Sequence, residues 1–168
     1  MPHLLRGERA PARLPDGNIF PPATGTIVGS ENMLAHVPVT APVLAVTGSA
    51  LMVLKAYLLE SLVLSGLGMF LYVWHHTRSA SAALIAGAAF TFPPFRVETV
   101  PQPQYLGMGF LPLALLAIDL HLESGRRRWL VLLVVSLVMQ ALACVYLGFF
   151  TFVLAPVYAL ARLLSQKK

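Results

Sequence analysis

Six side chains suited to handling a phosphate fall on segments that border hydrophobic runs: Asp16, Glu31, Arg96, Glu98, Gln102 and Gln104. A guanidinium at a water–lipid boundary neutralises phosphate through paired hydrogen bonds, and a carboxylate beside it can act as a base or hold a divalent metal. Four of the six lie in "FTFPPFRVETVPQPQYLG", residues 90 to 107, a charged and proline-studded stretch between two apolar runs. The chemistry these residues suit is a reaction on a lipid-linked phosphate. Spacing alone leaves an ordinary solvated loop equally open.

Other polar residues stand inside apolar sequence. Glu60 lies near the middle of a long hydrophobic run, where a charge costs at least about 2.5–3.5 kcal/mol. It is either a proton or substrate site or a carboxyl paired within a bundle. Lys55 is a poor partner for it, since five residues at 100° each put the two about 140° apart on a helix. It suits snorkelling toward the membrane surface. Ser61, Ser65 and Gly68, with Ala83 and Gly87, form small-residue stripes that let helices pack closely. The histidines His3, His36, His75, His76 and His121 show no metal-ligand spacing. The single cysteine, Cys144, excludes an internal disulfide and a cysteine-based zinc site. No GxGxxG or GxxxxGK[ST] motif is present.

The elements that must position these residues are set by the solvent they face. Of 168 residues, 57% are hydrophobic and only 11% charged, and the mean hydropathy is +0.74. Soluble domains carry about 25% charged residues, so this is an all-α, polytopic membrane chain. Apolar windows place about five spans, near 49–74, 81–95, 105–121, 129–143 and 146–163, in a transmembrane domain of residues 49–168. The tract from Trp129 to Leu164 reads as a hairpin, because 36 residues of one helix would measure about 54 Å. Residues 1–48 read as an extracytoplasmic segment holding an interfacial or re-entrant helix, capped by Ser30 or Asn32 and broken at Pro38 and Pro42. No signal peptide is visible in this segment, for "MPHLLRGERAPARLPDGN" has no apolar core.

The net charge of +5 records topology in such a chain and calls for no nucleic-acid partner. Arg78, Arg126, Arg127, Arg128, Arg162, Lys167 and Lys168 fall on one side of a five-span arrangement, and Arg96 on the other. The positive-inside rule therefore puts the C-terminus in the cytoplasm and the N-terminus, with the 96–104 loop, outside. Arg6, Arg9 and Arg13 fall on the outer side, against the trend.

Read in order, "DGNIFPPATGTIVGSENML", "APVLAVTGS", "LSGLGMFLYVWHHTRS", "AALIAGAAFTFPPFR" and "FLPLALLAIDLHLESGRRRW" resemble the N-terminal part of bacterial polytopic membrane glycosyltransferases of the GT-C type. The resemblance implies sugar transfer from a polyprenyl-phosphate donor on the outer face of a bacterial inner or plasma membrane. Arg96 would then stand close to the donor phosphate, with Glu98, Gln102 and Gln104 around it, and Glu31 at the acidic position after the family's "NIFYP". Those relatives carry an earlier helix and an Asp-bearing outer loop, and histidines where this chain has Thr99 and Gln102. The resemblance so implies a fragment, inactive by itself, with the remainder of a longer protein as partner and a divalent metal left open as cofactor. The alternatives are a non-enzymatic or transporter-like membrane subunit centred on Glu60, and an inactive remnant.

Overall fold

The computed structural model describes residues 33–98 and 101–165, so Asp16, Ser30, Glu31 and Asn32, with the rest of the first 32 residues, lie outside the described part. Every regular element among the described residues is helical. A 3-10 turn over Leu34–His36 leads into α1 (Val37–Thr47), followed by α2 (Ala50–Thr77), α3 (Ala80–Thr91) and the short α4 (Pro94–Glu98). A second 3-10 turn, Pro103–Leu106, precedes α5 (Phe110–Ser124), α6 (Arg127–Ala143) and α7 (Val145–Ser165).

Among the described residues, three segments are long and apolar enough to cross a membrane: Ala50–Thr77, Pro103–Ser124 and Val145–Ser165. These make the chain a membrane protein by length and composition. The other two expected spans are shorter. At 1.5 Å per residue, α3 with 12 residues measures about 18 Å and α6 with 17 about 25 Å, against a hydrocarbon core of about 30 Å.

Local chemistry sets the ends. Helix α3 stops at Phe92, before Pro93 and Pro94, and not at Phe95 as the apolar run suggests. A residue preceding proline is pushed out of the helical region, and Pro94 then opens α4, where its missing N–H costs nothing. Ser79 caps α3 by accepting from the Ala82 N–H at 3.3 Å. Gly125, at φ 65°, closes α5 in the left-handed conformation that glycine adopts freely. The tract from Trp129 to Leu164 divides at Cys144, whose extended backbone (φ −158°, ψ 120°) separates α6 from α7. A Cβ on Gly148 would meet the Ala141 Cα at 2.6 Å, so glycine is what lets the start of α7 lie against α6.

One expectation is corrected in α1. The helix runs unbroken through Pro42, and Pro38 sits in its first turn. A proline there removes an N–H that has no helical partner anyway, and Pro42 forfeits one bond, to the Pro38 carbonyl. No residue of α1 is buried. Its two threonines satisfy their hydroxyls inside the helix, Thr40 donating to the His36 carbonyl and Thr47 to the Val43 carbonyl. It carries no charge and no polar face, unlike an amphipathic helix lying in the membrane interface.

The small-residue stripes turn inward. Tyr57, Ser61, Ser65 and Gly68 are the buried positions of α2, and Ala83, Gly87 and Thr91 those of α3. A Cβ on Gly87 would stand 2.9 Å from the Gly66 carbonyl oxygen, so α2 and α3 approach backbone to backbone. The C-terminal ends of α2, α5 and α7 gather at one end of the bundle, joined by contacts of His76 and Arg162 with Asp119. The opposite end holds the α1–α2 turn, residues 92–98 and 101–109, and the α6–α7 junction.

Candidate functional site

The polar layer begins at His36. Helix α1 returns along the first three turns of α2, which sets the His36 ring beside Glu60, ten residues into α2 and so about 15 Å from its start. His36 is 1% exposed, and its Nδ1 lies 3.3 Å from Glu60 Oε2, within ion-pair range but without hydrogen-bond alignment. Its ring meets Tyr57 edge to face at 4.7 Å between centroids. The Tyr57 hydroxyl donates to the Pro103 carbonyl. Burial lowers the His36 pKa, and Glu60 opposes that shift in part.

Arg96 enters the same layer from α4. Its guanidinium is 3% exposed, with Nη2 donating to Ser65 Oγ at 2.7 Å and to the Leu106 carbonyl at 3.0 Å. Ser65 in turn donates to the Ser61 carbonyl. From α6, Gln140 Nε2 donates to the Gly107 carbonyl at 2.7 Å. Gly107 is tight: a Cβ there would lie 3.1 Å from His36 Nε2 and 3.2 Å from the Ala143 Cβ. The proline-studded segment is thus fastened to the bundle at Pro103, Leu106 and Gly107. Among the described residues, neither His36 ring nitrogen nor Gln140 Oε1 has a hydrogen-bond partner. Buried polar atoms are usually satisfied, so this layer retains capacity to donate and accept.

The expected site residues separate. Arg96 points into the bundle beside α2, while Glu98 and Gln102 are exposed and Gln104 is half-buried in the second 3-10 turn. Glu31 lies outside the described residues. Lys55 is exposed and takes no part. No group of three or more His, Cys, Asp or Glu side chains that could hold a metal occurs among the described residues.

A second polar cluster, at the other end, went unremarked in the sequence. Asp119 is fully buried on α5 and meets three partners on two other helices, α2 and α7. Arg162 Nε reaches Oδ1 at 2.6 Å, the Tyr158 hydroxyl reaches Oδ2 at 2.7 Å, and His76 Nε2 reaches Oδ2 at 3.0 Å. Tyr72 stands 2.9 Å from the Tyr158 hydroxyl, and His75 Nε2 3.1 Å from Glu123 Oε1. The signal was present: Asp119 is a lone acid in an apolar run, as Glu60 is. Its partners are 39 or 43 residues away, which is why no local pattern exposed them.

Comparison with known protein families, with curated proteins and with solved structures gives no match for this chain.

Proposed function

We propose that the chain is the membrane-embedded part of a GT-C-type glycosyltransferase that takes its sugar from a polyprenyl-phosphate donor on the extracytoplasmic face. The observation that carries this reading is Arg96, a residue 3% exposed whose guanidinium is held by the Leu106 carbonyl and by Ser65, near the middle of α2. A fixed cation at that depth suits a phosphate whose polyprenyl chain remains in hydrocarbon. The resemblance of the ordered sequence blocks supplies the reaction class. In this reading the bundle has five spans, with the N-terminal segment and the 96–104 loop outside and the C-terminus in the cytoplasm. Glu98, Gln102 and Gln104 flank the mouth of the site, and Glu31 assists a base or metal there.

The test is photo-crosslinking in membranes carrying the chain, with a diazirine-tagged polyprenyl-phosphate sugar. Labelling should fall on residues 92–109 and be displaced by unlabelled polyprenyl phosphate. Arg96→Ala should lose most of it, and Arg96→Lys should restore it poorly, because lysine lacks the planar fork. Undiminished labelling in both variants would sink the reading.

A proton-coupled membrane subunit is the second reading, favoured by the contact of the buried His36 with the part-exposed Glu60. It expects Glu60→Gln to abolish function while leaving the polyprenyl-phosphate crosslink unchanged.

A further inference from the structure

The basic end of the bundle carries more positive charge than its own acids can answer. Five of the seven described Lys and Arg residues stand there: Arg78, Arg126, Arg127, Arg128 and Arg162. The two acids at that end, Asp119 and Glu123, are already engaged. Asp119 is taken by Arg162, Tyr158 and His76. Glu123 sits 3.1 Å from His75 Nε2 and 3.9 Å from Arg162 Nη2. Among the described residues, no carboxylate lies within ion-pair range of Arg78, Arg126, Arg127 or Arg128, and all four are exposed.

These four stand at the same end of the bundle. The contacts of His75 with Glu123 and of His76 with Asp119 bring the end of α2 against the end of α5. Arg78 follows within three residues of those histidines, and Arg126 within three of Glu123. Arg128 stacks its guanidinium over Trp129 at 4.4 Å, the pairing expected at a headgroup boundary. Below the arginines, α6 presents Leu130, Val131, Val134 and Val135 as exposed apolar side chains. An anion arriving here would meet guanidinium groups at its charged end and an apolar helix face along the rest of its length.

We infer that Arg78 and Arg126–Arg128 form a docking surface for the headgroup of an anionic phospholipid, with its acyl chains lying along α6. The length of α6 supports this occupant over a soluble anion. At about 25 Å the helix is shorter than the hydrocarbon core, so the bilayer thins locally and headgroups come down to the arginines. The inference does not depend on the glycosyltransferase reading.

The experiment is native mass spectrometry of the detergent-purified chain, titrated with phosphatidylglycerol and with phosphatidylcholine. The wild type should retain the anionic lipid roughly tenfold or more over the zwitterionic one. Replacing Arg126, Arg127 and Arg128 together by Gln should erase the preference, and replacing them by Lys should keep most of it. Glycerol phosphate, a headgroup without chains, should not displace the lipid. If the triple Gln variant does not fold, Arg78→Gln and Arg127→Gln singly should each lower the preference a few-fold. Equal retention of both lipids by the wild type, an unchanged preference in the Gln variants, or displacement by glycerol phosphate would overturn the inference.

Discussion

Two acids in apolar helices, the buried Asp119 and the part-exposed Glu60, each belong to one of the two polar clusters. Asp119 is fully buried and receives three donors, so Asp119→Asn turns part of an acceptor into a donor facing a guanidinium. Breaking such a pair costs on the order of 3 kcal/mol, reduced somewhat here because Arg162 is part-exposed. Tyr158→Phe removes two hydrogen bonds, to Asp119 and with Tyr72, and should cost about 1–2 kcal/mol. Thermal unfolding in detergent should therefore rank wild type above Tyr158→Phe above Asp119→Asn. An Asp119→Asn variant as stable as wild type would show that the cluster does not hold the helix ends. At the other end, Gly107→Ala should cost about 1–3 kcal/mol by pressing on His36 and Ala143. At this scale the sequence revealed which residue types were costly and not whom they meet. Glu60 stood out as a charge in an apolar run, but its neighbour His36 approaches through a turn and a returning helix. Arg96 stood out as well, but its anchoring to Ser65 spans 31 residues.

Helix termini followed signals that can be read locally: the Pro93–Pro94 stop, the Ser79 cap, the Gly125 closure and the break at Cys144. Prolines inside helices were less legible. Pro42 in α1 and Pro156 in α7 each sit within a continuous helix, because in an apolar environment the alternative conformations expose backbone groups to hydrocarbon at greater cost. The small-residue stripes did announce the buried faces, since close backbone approach is the only use of glycine at two facing positions. Gly87→Val should accordingly destabilise the α2–α3 pair by about 1–3 kcal/mol, as its new atoms meet the Gly66 carbonyl. Ala89→Val, on the exposed face of the same helix, should stay within about 0.5 kcal/mol of wild type. Equal effects of the two substitutions, read by thermal melts in one detergent, would remove the close approach as an explanation.

Across the whole molecule, charge and polarity are segregated. Among the described residues, the polar layer of His36, Glu60, Arg96 and Gln140 lies toward one end, and five basic side chains stand at the other. Composition alone was enough to establish the apolar helical class, because solvent acts on every residue. The span count was harder to read, for α3 and α6 are largely apolar yet shorter than the hydrocarbon core. Our account rests on one orientation: the polar layer toward the outside, the arginines toward the cytoplasm. Single cysteines in a Cys144→Ser background test it in intact cells with a membrane-impermeant maleimide, since Gln102 and Ser124 are both exposed. Gln102→Cys should be labelled and Ser124→Cys should be labelled only after the cells are opened. Labelling of Ser124→Cys in sealed cells, with Gln102→Cys protected, would contradict the account.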